Sequence, residues 1–319
     1  MKEINKECTE VINSEITTPM YQMIADVDEL KWFFDHVIQK PQVNESYSMV
    51  FVCRHKKLTA EERETLGLTR KESEFLSTQT IRLGKFKDAL YIDEDNNWTF
   101  DNFLKHVKRF NVDHGAYTTT LGEPLPQKTL AIIFYVNPCD DIKVADRLME
   151  QIENVKTSIV KAMLSGKTTA DNLQSYQLFG NLENNLKHFK ANCKGSSYWL
   201  DYDLDVPEWF KRKYYEELIH IIERYYNKGS YVVIETSGGY HILCRTNSIH
   251  FDPHLLCKDI AQYYIYTIEM HGEAPYVDDK GNSKFECIIN DSQIPGLPLP
   301  GTYQYGKPVI VLNKEDFSL

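Results

Sequence analysis

The sequence predicts an α+β fold in two layers, built around a β-α-β-β-α-β unit between residues 197 and 290. Two strand-like segments about forty residues apart carry this prediction, Ser197–Val206 and Thr236–Arg245. In the first, aspartates alternate with Tyr and Leu, as in a strand with one polar and one apolar face. The second follows a Ser-Gly-Gly turn, and an apolar helical pattern follows each segment.

Upstream of this unit, the sequence predicts two further regions. Residues 1–77 are expected to form a mainly helical extension, with one strand-like run at Tyr47–Cys53. Residues 78–195 alternate between strand and helix patterns, with helices at about 99–110, 140–165 and 173–190 and strands at Gln79–Leu83, Ala89–Ile92 and Leu130–Val136. We expect them to form an N-terminal α/β module, packed with a catalytic module at 196–319 into one core, 78–319.

The β-α-β-β-α-β unit consists of six segments in turn: the acidic strand, a helix opened by Pro207 and closed by Gly229, strands at Tyr231–Glu235 and Tyr240–Arg245, a helix from Asp252 to about Met270, and a strand at Lys284–Ile289. Proline suits a first helical position and aspartate suits a cap. This is the order of ferredoxin-like and RRM-like sheets, in which the first strand lies between the third and fourth. It predicts that Asp201 and Asp203 lie beside His241 and an acid of the fourth strand.

Asp201, Asp203 and Asp205 share one face of the acidic strand. Two carboxylates at i and i+2 on a rigid strand suit the divalent cations of phosphoryl or nucleotidyl transfer. We therefore assign Asp201 and Asp203 as metal ligands, and Asp205 to a supporting position or to the cap of the next helix. The alternative is an exposed acidic strand, because an isolated Asp-x-Asp pattern is common.

The turn formed by Ser237, Gly238 and Gly239, with His241 after it, predicts a phosphate-binding site. Glycine has no Cβ, so the backbone N–H groups of the turn can approach a phosphate closely. His241 offers at least one N–H donor, and protonation strengthens it beside an anion. The alternative is a plain hairpin turn followed by a core histidine.

Three further positions complete the candidate site. The third metal-binding acid is Glu286, inside the fourth strand, or Asp291, just past it; strand position favours Glu286. Arg245 is a second candidate for phosphate contact. Lys307, in a hairpin after Leu299–Thr302, is a candidate for contact with phosphate or template, unless that hairpin only closes the sheet edge.

Composition and charge argue against several other classes of protein: general polyanion binders, zinc or disulfide proteins, and membrane proteins. The net charge of -10 argues against a general polyanion binder, so nucleic acid would meet local basic patches such as Arg82–Lys87 and Lys105–Arg109. Seven scattered cysteines without Cys-x-x-Cys spacing predict neither zinc nor a disulfide framework. The absence of a signal-like N-terminus and of a long apolar run predicts a cytoplasmic protein without membrane contact.

Taken together, these motifs resemble the archaeo-eukaryotic primase superfamily, which includes phage and plasmid primase-polymerases. The matching segments are Asp201-Tyr-Asp203, Ser237-Gly-Gly-Tyr-His241, Phe285-Glu286 (or Asp291), and Leu299-Pro-Gly-Thr302. Asn137-Pro138 is similar to the Asn-Pro of the family's N-terminal module, and the resemblance covers roughly residues 78–319. Two positions depart from the family: Pro295–Pro298 replaces a basic residue, and Cys139 stands where arginine is frequent.

The resemblance implies a DNA primase or primase-polymerase that joins NTPs or dNTPs on a single-stranded DNA template. Two Mg²⁺ or Mn²⁺ ions would be held by Asp201, Asp203 and Glu286 or Asp291, and a replicative helicase of a mobile element would be a partner. Two alternatives remain open. One is a catalytically degenerate, primase-like module that binds single strands, and the other is a different nucleotidyltransferase or cyclase on an RRM-like palm.

Overall fold

The computed structural model describes residues 20–54, 58–67, 73–82, 85–87, 90–92, 98–119, 121–164, 189–190, 192–278, 280–290 and 294–317. Its helices are α1 (Val27–His36), α2 (Ala60–Thr65), α3 (Phe100–Lys108), α4 (Asp141–Leu164), α5 (Glu208–Lys213), α6 (Tyr215–Ile222) and α7 (His254–His271). Short 3₁₀ turns lie at Gln127–Thr129, Thr246–Ser248 and Lys314–Asp316. Among the described residues, no helix is both long enough and apolar enough to cross a lipid bilayer.

The strands, in chain order, are β1 (Glu45–Arg54), β2 (Ser73–Arg82), β3 (Lys85–Lys87), β4 (Leu90–Ile92), β5 (Leu130–Tyr135), β6 (Cys139–Asp140), β7 (Trp199–Asp205), β8 (Tyr231–Glu235), β9 (Gly239–Arg245), β10 (Glu286–Ile289), β11 (Gly296–Pro298), β12 (Tyr303–Gln304), β13 (Lys307–Pro308) and β14 (Ile310–Val311). Helices and antiparallel sheets together confirm the α+β class. The helix expected at 173–190 falls almost entirely outside the described residues.

The first sheet has the strand order β11-β5-β1-β2, with β6 also paired to β1. Strand β1 is central, and its residues Met49–Cys53 pair with Leu130–Phe134 of β5. The expectation of a mainly helical extension at 1–77 is corrected here, because β1 belongs to this sheet and is buried along nearly its whole length. A boundary at residue 77 would separate β1 from β5, its hydrogen-bonded neighbour.

The second sheet has the order β10-β7-β9-β8-β14, and every pair is antiparallel. The predicted neighbours of the acidic strand are confirmed, since β7 lies between β9 and β10. The helix expected after Pro207 is divided into α5 and α6, which meet at Tyr214 with non-helical backbone angles. Strand β14, from the end of the chain, adds a fifth strand beside β8.

The two faces of the second sheet pack against different layers. Tyr202, Leu204 and Ile242 point to one face and share a core with α5, α6 and α7. On the other face, Trp199 and Leu243 join the core formed by α1 and the first sheet. Because side chains alternate along a strand, the aspartates of β7 lie on this second face, with Trp199.

The Leu-Pro-Gly-Thr segment, Leu299–Thr302, forms hydrogen bonds with the residues that precede helix α1. The Gly301 carbonyl accepts hydrogen bonds from the N–H groups of Ala25 and Asp26, at 2.8 and 3.1 Å. Gly301 has φ +81°, and a Cβ there would lie 2.6 Å from the Asp26 carbonyl oxygen, so only glycine fits. Nearby, buried Glu29 of α1 accepts the Val311 N–H at 2.7 Å, 282 residues along the chain. This motif therefore has a structural role here.

Two asparagine side chains extend the second sheet where backbone partners end. Asn137 Oδ1 accepts the N–H groups of Tyr198 and Trp199, each at 2.9 Å, and its Nδ2 donates to the Trp199 carbonyl at 2.7 Å. Asn313 likewise accepts the Val233 N–H at 2.8 Å and donates to the Tyr231 carbonyl at 3.1 Å. A side-chain amide carries the same donor and acceptor as a peptide group, so each asparagine substitutes for a missing strand.

Replacing Asn137 with alanine is expected to lower the free energy of unfolding by about 2–4 kcal/mol, because the buried N–H and C=O of Trp199 lose their partners. Denaturant unfolding measures this change. Asn154→Ala, at an exposed position of α4, is the matched control and should stay within about 0.5 kcal/mol of the wild type. Equal stabilities for the two variants would contradict the role assigned to Asn137.

Candidate active site

The centre of the candidate site is a buried carboxylate held by two neighbouring strands. Asp201 has no exposed surface. His241 Nδ1, on β9, lies 3.0 and 3.1 Å from its two carboxylate oxygens. Asn290, which follows β10, donates from Nδ2 to Asp201 Oδ2 at 2.8 Å and from its backbone N–H to the Asp201 carbonyl at 3.0 Å. The predicted meeting of Asp201 with His241 is thus present.

The second aspartate of the strand is more open. Asp203 is directly opposite His241 in the β7–β9 register, and its side chain is 45% exposed. His241 Nε2 lies 3.7 Å from Asp203 Oδ1, which is longer than a normal hydrogen bond. Partial burial raises the pKa of Asp203, the charges of Asp201 and Asp205 raise it further, and His241 and Arg54 act in the opposite direction.

His241 carries a positive charge at neutral pH in this environment. Burial by itself favours the neutral imidazole. The hydrogen bond and negative charge of Asp201, with the charges of Asp203 and Asp205, outweigh that effect and raise the pKa of His241 to about 9. The imidazolium therefore lies between two carboxylates, with Nδ1 engaged by Asp201 and Nε2 directed toward the more open Asp203.

Two sequence-distant segments lie near this pair. Arg54, at the end of β1, lowers the pKa of Asp203 through its charge and has its guanidinium carbon 5.9 Å from the centre of the Tyr305 ring. The Arg54 Nε is buried and has no hydrogen-bond partner among the described residues. Next to Tyr305, Gln304 accepts the Ser237 N–H at 2.7 Å. The first sheet and the C-terminal hairpin thus both contribute polar groups around β7 and β9.

The Ser-Gly-Gly turn is shaped by its contact with β7. A Cβ on Gly239 would lie 1.8 Å from the Leu204 carbonyl oxygen, and one on Gly238 would lie 2.9 Å from Asp205 Oδ1. Glycine is thus required at 239 by the close approach of the turn to the backbone of the acidic strand, whereas a Cβ at 238 would meet only the end of the Asp205 side chain. The buried Ser237 Oγ has no hydrogen-bond partner among the residues that the structure describes. It is a free polar group beside the site.

A buried lysine supports the same turn from the helical side, and sequence analysis missed it. The Lys211 side chain is only 4% exposed. Its Nζ lies 3.0 Å from Glu235 Oε1, 3.1 Å from Glu208 Oε2 and 3.1 Å from the Thr236 carbonyl. This network ties α5 to the residues that lead into the turn. A single lysine beside the apolar Phe210 gave no sequence signal for these partners.

Arg245 and Lys307, which the sequence predicted to contact phosphate, both lie away from the aspartates of β7. Arg245 is opposite Trp199 at the far end of β9, and its guanidinium carbon is 5.8 Å from the Trp199 ring and 5.1 Å from the Phe317 ring. Lys307 lies on the hairpin that contacts Ser237, but its Nζ is 3.8 Å from Glu208 Oε2 and its side chain is 60% exposed. Neither is brought to Asp201 or Asp203.

The third acid is not where strand order suggested. Glu286 is opposite Asp205, and the β10 residue opposite Asp203 is Ile288. The expectation that Glu286 lies near Asp201 is therefore corrected: the β7–β10 register places Asn290 there. Asp291 lies outside the described residues.

The donors fit a divalent cation in type but only partly in arrangement. Aspartate carboxylates are the oxygen ligands that Mg²⁺ prefers. Asp203 is open enough to contact a cation, whereas both oxygens of Asp201 face His241. Among the described residues, no group of three or more His, Cys, Asp or Glu side chains has the geometry of a metal site. Direct ligation by Asp201 would require the imidazolium to move.

Comparisons with known proteins add no further constraint. No protein-family model matches the chain, and the searches of curated proteins and of solved structures gave no match.

The charge of His241 can be measured by NMR titration of its imidazole. We expect a midpoint near pH 9, and in Asp201→Asn a lower midpoint, because the largest charge that opposes the effect of burial, and its hydrogen bond, are lost. The pair stabilises the folded protein fully below pH 6.5, and this contribution is lost as pH rises through about 9. Glu153→Gln, on exposed α4, should leave the midpoint unchanged; a wild-type midpoint near 6.5 would contradict the assignment.

Replacement of Lys211 by methionine is expected to lower the free energy of unfolding by about 2–4 kcal/mol, because the Thr236 carbonyl and Glu235 lose their shared cation. Chemical denaturation provides the measurement. Arg212→Met is the matched control: Arg212 also pairs with Glu208, at 3.3 Å, but its side chain is 76% exposed. The control should change by less than about 1 kcal/mol, and a larger loss there than at Lys211 would refute this reasoning.

Proposed function

We propose that the chain is a nucleotidyltransferase of the primase-polymerase type, which joins NTPs or dNTPs on a single-stranded DNA template. The observation that carries the proposal is the meeting of Asp201, Asp203 and His241 on adjacent strands β7 and β9. The order β10-β7-β9-β8 is also the one that an RRM-like catalytic module would have. The sequence resemblance to archaeo-eukaryotic primases supports the same reaction class.

Each residue has a role that its surroundings support. The His241 imidazolium, held through Nδ1, keeps Nε2–H available to donate to a triphosphate oxygen. Asp203, half exposed beside it, is the carboxylate that an incoming cation would meet first. Bound Mg²⁺ or Mn²⁺ would supply activation of a 3′-hydroxyl and neutralisation of pyrophosphate charge. Arg54, with a buried unpaired Nε, is a further candidate donor for phosphate.

A second function is favoured by a specific observation. Ile288 lies opposite Asp203 and Asn290 contacts Asp201, so the one acid in the described part of β10, Glu286, is opposite Asp205 and not opposite Asp201 or Asp203. A degenerate, primase-like module that binds single-stranded DNA without catalysis would tolerate this arrangement. A replicative helicase partner and a mobile-element context are compatible with either function.

Incorporation of labelled nucleotides on single-stranded DNA, with and without primer and with Mg²⁺ or Mn²⁺, tests the proposal. The wild type should give template-dependent product, and Asp203→Asn should lower the rate by about 100-fold or more, because the open carboxylate is lost. Glu286→Gln should retain activity, because Glu286 lies opposite Asp205. Glu153→Gln is the matched carboxylate-to-amide control on exposed α4, and thermal melting checks the fold of each variant.

The outcomes separate the two functions. Loss of product in Asp203→Asn with retention in Glu153→Gln supports a nucleotidyltransferase, and the primer-free reactions distinguish initiation from extension. A wild type that binds single-stranded DNA, forms no product and binds equally well as Asp203→Asn would overturn the enzyme proposal in favour of the binding module.

A further inference from the structure

Two cysteines on neighbouring elements lie in direct contact. Cys287 of β10 points its Sγ at Cys257 Sγ of α7, at a distance of 2.7 Å. Both residues are partly exposed, whereas the other described cysteines, Cys53, Cys139, Cys193 and Cys244, are buried. In the β7–β10 register, Cys287 is opposite Leu204, on the helical face of the sheet. The pair is therefore on the opposite side of the sheet from Asp201 and Asp203.

We propose that Cys257 and Cys287 form a reversible disulfide that fastens strand β10 to helix α7. A disulfide has an S–S distance of about 2.05 Å, so the two sulfurs need to approach by only about 0.7 Å. Small side-chain rotations can provide this movement, because the two sulfurs already face each other. No other element has to be displaced from between them.

The chemistry requires a two-electron oxidant, and a low-molecular-weight disulfide such as oxidised glutathione is sufficient. The hydrogen bond from Cys287 lowers the pKa of Cys257, while the same bond and burial raise the pKa of Cys287. Cys257 is therefore the attacking thiolate: it bonds to one glutathione sulfur, and the other glutathione leaves as a thiol. Cys287 then loses its proton and displaces the second glutathione from Cys257. Two protein thiols are oxidised, and one small disulfide is reduced to two thiols.

The cross-link would act on the strand that supports the candidate site. Within the described sheet, β10 is an edge strand and pairs only with β7. It ends one residue before Asn290, whose side chain contacts Asp201. A bond from Cys287 to α7 would oppose the local opening to which edge strands are prone.

The experiment is oxidation of the intact chain with oxidised glutathione, followed by thiol counting in denaturant, intact mass and peptide mapping. Among the described cysteines of the wild type, Cys257 and Cys287 alone should lose their thiols, and they should appear as a 257–287 linked peptide that is about 2 Da lighter than its two separate peptides, as two hydrogens leave, and that dithiothreitol separates. Cys287→Ser should stop at one glutathione adduct on Cys257, and Cys257→Ser should resist modification at Cys287. Cys193→Ser, which alters a buried cysteine elsewhere, should still form the bond.

A second measurement reports on the strand itself. Hydrogen exchange of the peptide covering 286–290 should slow by about tenfold or more on oxidation and recover on reduction. Persistence of the Cys257 and Cys287 thiols in the wild type, under conditions that modify Cys257 in Cys287→Ser, would overturn the proposal. Mapping of the bond to any other cysteine pair would do the same. Neither result depends on the proposed enzymatic activity.

Discussion

The candidate site depends on how the chain stabilises one carboxylate that has no exposed surface. A charge removed from water is strongly unfavourable unless a counter-charge and hydrogen bonds replace its hydration. At Asp201 the counter-charge comes from His241 on β9, and a hydrogen bond comes from Asn290, the residue after β10. The strand order is what makes this compensation possible, because it places β7 between the elements that carry both partners. Asp203, two residues away, is left open and available for chemistry.

Side chains, and not only backbone hydrogen bonds between strands, hold the second sheet in place. Asn137 belongs to the first sheet's connection after β5, yet its amide pairs with the start of β7. Asn313 does the same for β8 after β14 ends. Lys211 adds a third connection, between α5 and the residues before the Ser-Gly-Gly turn. The position of the acidic strand is therefore set by contacts outside its own sheet as well as within it.

The sequence predicted the parts of the fold that depend on local pattern. Alternation in β7 and β9, and the helix-start signals at Pro207 and Asp252, are short-range features, and the β-α-β-β-α-β order follows from them. The central place of β1 was missed because its partner β5 lies about eighty residues away, and no local pattern records that pairing. The sequence of β1 showed a strand-like pattern, but it did not show which strands pair with β1.

Local sequence patterns were also insufficient to predict the positions of individual residues in the candidate site. Strand order correctly placed His241 beside the aspartates. It could not give the register of β10, and a displacement of a few residues along the strand moves Glu286 from Asp201 to Asp205. Arg245 was predicted on the correct strand, β9. Its guanidinium group, however, lies near the rings of Trp199 and Phe317, so its positive charge is not beside Asp201 or Asp203. Two of the contacts of Lys211, Glu235 and the Thr236 carbonyl, lie 24 and 25 residues along the chain and therefore had no local sequence signature.

The contact between Glu29 and Val311 has a consequence for how the protein is made. The N–H group that Glu29 of α1 accepts is synthesised 282 residues after Glu29 itself. At about 5–20 residues per second, the interval is on the order of tens of seconds. During that time the apolar face of α1 lacks β14 and the Gly301 turn that its N-terminus requires. The nascent chain therefore carries an incomplete first core while these 282 residues are synthesised.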